Sequence, residues 1–307
     1  MSSSASSRER ARPRAHVRRI AADLVSKDSD TPEYGRLSLF RDPAGLDGER
    51  ARELAFRNLE TRGKSPDEVA ARAEYLDLLG IRPGQQVLDV GCGSGVVTRD
   101  MARRVSPGGR AIGLDPSAEF LTIARELARE ARLEAVAEFR VGSALALPFA
   151  DGEFDVALAA TVLVHVPGAA AAVPEMARVV RSGGRVGIFD FDGDSLVISH
   201  PDRALTRRVV AAFSDHAAVD GWLVRRLPGL LSQAGLQHVA TRAFLPLERE
   251  PDGFYGRAAV RAADVAAQTG AITESEREGW LAALRAEQAA GNFLGGRVHI
   301  FCWGVKP

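Results

Sequence analysis

The sequence is poor in four things, and each shortage excludes a class of protein. It has no net charge, with 40 Lys+Arg set against 40 Asp+Glu in 307 residues. A protein that grips nucleic acid through phosphates carries a basic excess, and this chain as a whole has none. Its two cysteines, Cys92 and Cys302, are too few for a disulfide framework and suit a reducing compartment. The longest largely apolar stretch, Val156–Val164, falls far short of a membrane span. Only three Trp and three Tyr are present, and none of the six lies between Gln86 and Asp192. The remainder, 46% hydrophobic and 26% charged, is an ordinary globular mixture. Its length suits one large domain or two small ones.

The neutrality is unevenly spread. Within residues 1–20, Arg8, Arg10, Arg12, Arg14, Arg18 and Arg19 face only Glu9, a balance of +5 that leaves −5 for the rest. Residues 1–30 read as a disordered basic tail by composition. Their Ser/Arg richness also fits a transit peptide, and a nucleic-acid-binding arm is a third reading. Without an apolar h-region they do not fit a secretory signal, and a cytoplasmic location is expected.

Residues 31–80 are expected to form an N-terminal helical cap. Glu49–Leu59 and Pro66–Leu79 carry apolar residues at helical spacing, with Ser65-Pro66 as a helix start and Gly80 as a stop. From residue 81 the pattern changes. Short apolar runs (Gln86–Val90, Ala111–Asp115, Ala137–Val141, Phe154–Ala160, Arg185–Phe191) alternate with helical stretches at Val96–Val105, Ala118–Ala131 and Pro174–Val180. That alternation predicts a doubly wound α/β fold with a mostly parallel sheet. Val180–Arg185 reads as a helix end, a tight turn and a strand start. Further on, Gly221–Ala234 reads as an amphipathic helix, while His238–Leu247 and Arg297–Val305 read as strands. A helical insertion at about 250–292 lies between those strands.

The strongest local signal is Val87-Leu88-Asp89-Val90-Gly91-Cys92-Gly93-Ser94-Gly95, a glycine loop leaving a strand and opening a helix. Glycines belong where backbone turns sharply or a ligand lies against the main chain. The spacing does not meet the dinucleotide fingerprint, because Val occupies position 96. A second strand, Ala111–Asp115, ends in an acid 20 residues after Gly95. A carboxylate there can accept both hydroxyls of a ribose, which serves adenosine-containing ligands generally. The competing reading is that Asp115 only caps the next helix.

These residues resemble the class I S-adenosylmethionine-dependent methyltransferases, closest to the small-molecule branch of ubiquinone/menaquinone and natural-product enzymes. The resemblance covers roughly Arg82 to Asp192. It rests on the VLDVGCGSG loop, the GLDPS turn, Leu147-Pro148-Phe149 with Phe154-Asp155, and RVVRSGGRVGIFD. It implies a seven-stranded Rossmann-like sheet, order 3-2-1-4-5-7-6, with the last strand antiparallel and helices capping the acceptor side. It further implies S-adenosylmethionine as cofactor and a small-molecule acceptor, with methylation at O, C or N. Gly91 and Gly93 would pass along the cofactor, with Cys92 between them as a small side chain. Asp89 would order the loop and help position the amino group. Asp115 would bind the ribose, with Pro116 beside the adenine. Ser143 and Ala144 would meet the adenine edge, and Thr161 the methionine end. Related chains commonly carry Asp where this one has Ser143. A serine accepts a hydrogen bond without charge assistance, so adenine recognition would lean more on Ala144.

His165, just past the fourth strand, and Asp192, at the end of the fifth, are the expected catalytic residues, as proton acceptors or acceptor-positioning groups. Asp190, Asp194, His200, Asp202 and His216 are lesser candidates. A Mg²⁺ cluster of the aspartates with His200 is weighed against a polar turn, and no metal is expected. Trp and Tyr outside the 86–192 region, including Tyr34, would shape a pocket for a flat or apolar acceptor, unless they only pack helices on the sheet. The motifs for amino methylation of bases, for cytosine and for arginine are missing, so no nucleic acid partner is expected. A homodimer stays open. The rival reading is a cofactor-binding protein on the same fold that does not methylate, acting as a cyclase, decarboxylase or regulator.

Overall fold

Short apolar segments between Gly, Pro or charged residues build one seven-stranded sheet. The strands are β1 (Gln86–Val90), β2 (Arg110–Asp115), β3 (Ala137–Val141), β4 (Phe154–Ala160), β5 (Val180–Phe191), β6 (Gln237–Phe244) and β7 (His299–Val305). The structure, a computed structural model, describes residues 37–307 apart from Arg41. The expected basic tail, the start of the expected helical cap and Tyr34 lie outside the described residues. The sheet order is β3-β2-β1-β4-β5-β7-β6, with β7 antiparallel to both neighbours. The fold is therefore the Rossmann-like doubly wound sheet that the sequence predicts.

The core lies on both faces of this sheet. In β1, Leu88 and Val90 pack into a layer with Met176, Val179 and Leu231, while Val87 packs on the other side with Met101, Leu121 and Phe301. Burial on both faces is why these strands read as continuous apolar runs and do not alternate. Helices flank the sheet. They are α1 (Gly48–Leu54), α2 (Pro66–Leu78), α3 (Val96–Val105), α4 (Ala118–Glu130), α5 (Ala172–Val179), α6 (Arg203–Ala217), α7 (Leu227–Gln233), α8 (Phe254–Gln268) and α9 (Glu274–Ala289).

Several expectations change in detail. The helix expected at Glu49–Leu59 is α1 followed by a π-helical stretch, Ala55–Glu60. Ser65 precedes α2 with Pro at the first position, but its side chain makes no capping hydrogen bond. The turn expected at Val180–Arg185 is absorbed into β5 as a bulge. Phe154 pairs with Val180, but Val156 pairs with Arg185, and Gly183 takes φ +76°. The Gly221–Ala234 helix is broken into a 3-10 turn, Leu223–Arg225, and α7, with Pro in the first turn of α7. The helix α6 had no counterpart in the sequence reading. It is capped by Asp202 and buries Val209, Ala212 and Phe213.

The stretch between β6 and β7 is two helices. α9 starts with a capping box formed by Thr273 and Glu276. With α6 these helices enclose a separate core that includes Phe213, Tyr255, Trp280, Leu284 and Phe293. A three-stranded antiparallel ribbon (Val197–Ile198, Gly295–Gly296, Leu247–Glu248) ties this cap to the sheet edge.

Candidate functional site

The carboxyl ends of β1, β2, β4 and β5 open into two adjoining cavities of about 310 and 280 Å³. Phe40, Leu59, Arg62 and His165 line both and form their shared wall. A crevice outside the carboxyl ends of parallel strands is where this architecture binds ligands.

The larger cavity is built around the glycine loop. Gly91, Gly93 and Gly95 have φ of +73°, +52° and +80°, a region that L side chains rarely adopt. A Cβ on Gly91 would lie 2.4 Å from Val162 Cγ1, so the loop admits no side chain there. The Gly91 and Cys92 amides donate to Leu114 O at 2.7 and 3.0 Å, which fastens the loop to β2. At the end of β2, Asp115 accepts from Gly93 N and from Ser117 N, both at 2.9 Å. Ser117 itself caps α4, accepting from Phe120 N. Asp115 therefore braces the loop and the helix entry together, and its carboxylate also faces the cavity.

Burial dominates the electrostatics here. It pushes the Asp89 carboxyl up to about 7, against the hydrogen bond that Thr98 Oγ1 donates to it at 2.6 Å. Burial pushes Asp115 up to about 6, against its two backbone donors. The same effect raises the Cys92 thiol well above its ordinary value, so it is no nucleophile at neutral pH. All nine residues expected to bind the cofactor line this one cavity: Asp89, Gly91, Cys92, Gly93, Asp115, Pro116, Ser143, Ala144 and Thr161. Thr161 holds φ +57°, a strained position for a β-branched residue. It is held there by its amide donating to Phe189 O at 2.6 Å and its hydroxyl donating to Ala160 O at 2.7 Å.

The N-terminal helices reach into the same cavity. Arg62 donates to Thr161 Oγ1 at 2.6 Å. Glu68 is buried with an Oε1 that has no hydrogen-bond partner among the described residues. Glu60, ending the π-helical stretch, forms a buried ion pair with Arg99 at 2.9 Å and accepts from Ser94 Oγ at 2.7 Å. That pair pins the cap to the glycine loop. Sequence reading missed Arg62 and Glu68, because nothing in the chain marks which polar face of a short helix turns inward.

The two catalytic expectations part ways. His165 sits on a 3-10 turn, Leu163–His165, held by Asp190, which accepts from Val164 N at 3.1 Å. Its Nδ1 is 3.0 Å from Ser38 Oγ, and its ring lies between Phe40 and Phe191. Burial, with the charges of Arg297, Arg62 and Arg261, lowers its pKa to about 3. The imidazole is neutral at physiological pH and a weak proton acceptor. Asp192 lines neither cavity. Its carboxylate takes two hydrogen bonds from Arg225, both at 2.7 Å, and one from Asp194 N at 3.0 Å. The strand's pleat turns Phe191 to the cavity and Asp192 away from it.

Asp190, Asp194, His200 and Asp202 serve the fold, while the buried Nδ1 of His216 has no hydrogen-bond partner among the described residues. His200 stacks on Trp280 and contacts its carbonyl at 3.0 Å, and Asp202 caps α6. Among the described residues no group of three or more His, Cys, Asp or Glu is placed to hold a metal ion. The aromatics of the smaller cavity are phenylalanines (Phe40, Phe191, Phe213 and Phe254), not the expected Trp and Tyr. Trp222 is exposed beneath Arg225, Trp280 and Tyr255 are buried in the cap core, and Trp303 stacks on Phe301. Tyr75 lines the larger cavity.

Residues 88–188 match the family described as "Methyltransferase domain". The chain is 41% identical over 164 residues to an uncharacterized 37.1 kDa protein in transposon TN4556 of Streptomyces fradiae, covering 53% of this chain and 47% of that protein. It is 38% identical over 115 residues to the demethylmenaquinone methyltransferase of Lactococcus lactis, covering 38% of this chain and 45% of that enzyme. The chain thus spans about half the length of the curated relatives it matches. Among solved structures, the YcgJ protein of Bacillus subtilis superposes with a TM-score of 0.54 at 21% identity, over 77% of this chain and 98% of that one. Fold, glycine loop and the family match over residues 88–188 agree with one another.

Proposed function

We propose that this protein transfers a methyl group from S-adenosylmethionine to a small-molecule acceptor held in the smaller cavity. The observation that carries this is the joining of two cavities across one wall. The larger is lined by all nine residues expected to bind the cofactor, and the smaller is enclosed by the helical cap.

The residues fit the cofactor. The glycine loop leaves room that a side chain would fill. Asp115 retains lone pairs for a ribose diol, and Glu68 Oε1, 4.0 Å from Arg62 Nε and without a hydrogen bond, keeps lone pairs for a cationic group. Pro116, Ala144 and Leu145 offer apolar surface beside Ser143 for a flat ring. Ser143 Oγ already accepts from Leu145 N at 3.2 Å. Adenine recognition on this side therefore rests on shape and backbone. S-adenosylmethionine brings a methyl group already made electrophilic by its sulfonium.

The remaining work is positioning and water exclusion. Phe40, Leu59 and Phe191 make the junction apolar, and His165 presents a neutral ring at the shared wall. With its pKa lowered to about 3, His165 orients an acceptor group by hydrogen bonding and does not store a proton. Asp192 has no part in this scheme because Arg225 occupies it. The named relative from Lactococcus methylates demethylmenaquinone. A ring-bearing acceptor agrees with the four phenylalanines of the smaller cavity, whose enclosure favours a metabolite over a macromolecule.

Calorimetric titration with S-adenosylhomocysteine, followed by labelled-methyl transfer to a metabolite extract with mass spectrometry of the product, tests the proposal. Micromolar binding and a labelled small product are expected. Binding without any transfer would favour the non-methylating reading, and absence of binding would overturn both.

A further inference from the structure

The smaller cavity has an unbalanced charge. Six arginines line it, Arg50, Arg57, Arg62, Arg257, Arg261 and Arg297, against one acid, Glu53. Arg50 and Arg57 share Glu53 at the exposed rim. Arg257 donates to the carbonyls of Asp252 and Arg57, Arg261 donates to that of Leu37, and Arg62 is committed to Thr161 and Glu68.

Arg297 differs from the others. It is 7% exposed, and its guanidinium has no hydrogen bond and no ion pair among the described residues. Its only close partner is the Phe191 ring, 3.4 Å from the guanidinium carbon. The far neighbour of that ring is His165, at 5.7 Å between centroids. Asp190 and Glu68 act on this buried guanidinium only across space, without an ion pair, and stacking on one aromatic face does not meet its five N–H groups, which is costly to the folded state. Burial weakens its hold on the proton, lowering the pKa to about 10, yet it stays charged at neutral pH. With one face covered by Phe191, the guanidinium edge is what remains for a ligand, and that planar edge matches the oxygens of a carboxylate or phosphate.

We infer that the methyl acceptor carries an oxyanion, bound through the edge of Arg297, with its apolar body lying among the phenylalanines toward His165. This rests on the two-cavity reading of the function. The carboxylate of the cofactor is not the counter-ion, since Arg297 lines only the smaller cavity. Arg261 and Arg257 add positive potential that draws an anion inward.

Equilibrium titration with 1-naphthoate, 1-naphthyl phosphate and the neutral 1-naphthamide, each with and without S-adenosylhomocysteine, tests this. At least one of the two anions is expected to bind tenfold or more tighter than the amide, and the tighter one identifies the oxyanion class. Arg297→Met should abolish that preference without changing S-adenosylhomocysteine affinity, and Arg297→Lys should keep part of it. The Met variant should melt no lower than the parent, because an unpaired buried charge has been removed, and this confirms folding. Equal binding of amide and anions, or an anion preference that survives in Arg297→Met, would overturn the inference. So would a tenfold loss of S-adenosylhomocysteine affinity in that variant, which would assign Arg297 to the cofactor. Anion preference in a protein that binds no S-adenosylhomocysteine would sink the proposed function and leave the oxyanion site standing.

Discussion

The two cavities share a wall and differ in charge. The larger one sets the carboxyl groups of Asp89, Asp115 and Glu68 beside Arg62 and Arg72, and the smaller one sets six arginines against Glu53. A cofactor with a sulfonium and an ammonium suits the first, and an anionic acceptor suits the second. The contrast teaches that one fold can separate two ligands by the sign of its buried groups, with the neutral His165 ring at the boundary.

The largest test of the contrast is on the acidic side. Asp115→Ala should weaken S-adenosylhomocysteine binding by about 2–4 kcal/mol, because a charged hydrogen-bond acceptor is lost together with the brace on the glycine loop. Calorimetry showing unchanged affinity would remove Asp115 from the ribose. Gly91→Ala should destabilise the fold by roughly 1–3 kcal/mol in denaturant melts and weaken cofactor binding, because its φ is left-handed and Val162 fills the space.

Proton linkage sharpens the same side. Burial raises Asp115 to about 6 and Asp89 to about 7 in the unliganded protein. An acid whose folded pKa is raised favours the fold below its unfolded pKa and loses that contribution as pH rises through the folded value. A ligand that needs the carboxylate must therefore bind more tightly as pH rises. Affinity for S-adenosylhomocysteine should fall about tenfold between pH 7 and pH 5, following the protonation of Asp115. A flat profile would mean that neither carboxylate meets the cofactor.

Smaller effects test the boundary. The ring resonances of His165 should not titrate between pH 5 and 8, since its pKa is lowered to about 3. A midpoint near 6.5 by NMR would restore it as a proton acceptor. Asp192→Asn should change turnover less than about threefold and stability by under about 1 kcal/mol, as expected of a pair whose Arg225 is exposed to solvent. A hundredfold loss of kcat would return Asp192 to the chemistry.

Much of the first cavity was legible because its determinants are local. The strand limits Gln86–Val90, Ala137–Val141 and Phe154–Ala160, and the helix Val96–Val105, read off the sequence as observed, since each is an apolar run or helical pattern bounded by turn residues. The glycines and Asp115 act where the chain turns, so their spacing carries the information. The second cavity was not legible. The helix α6 mixes Arg, Thr and Ala, and only its packing against α8 gives its narrow apolar face a partner. Arg297 looks like any charged residue before a strand, and Asp192 looks as well placed as its neighbours. The β5 pleat and the approach of Arg225 decide that one faces solvent-side partners and the other lies beneath a ring.

The sequence by itself determined the doubly wound sheet, the glycine loop and the residues that gather around it, because backbone turns and two-sided burial are written in short segments. The tertiary structure decided the charge of the smaller cavity, the neutrality of His165 and the pairing of Asp192 with Arg225. Those properties are sums over charges and burial from elements distant along the chain, which no local pattern records.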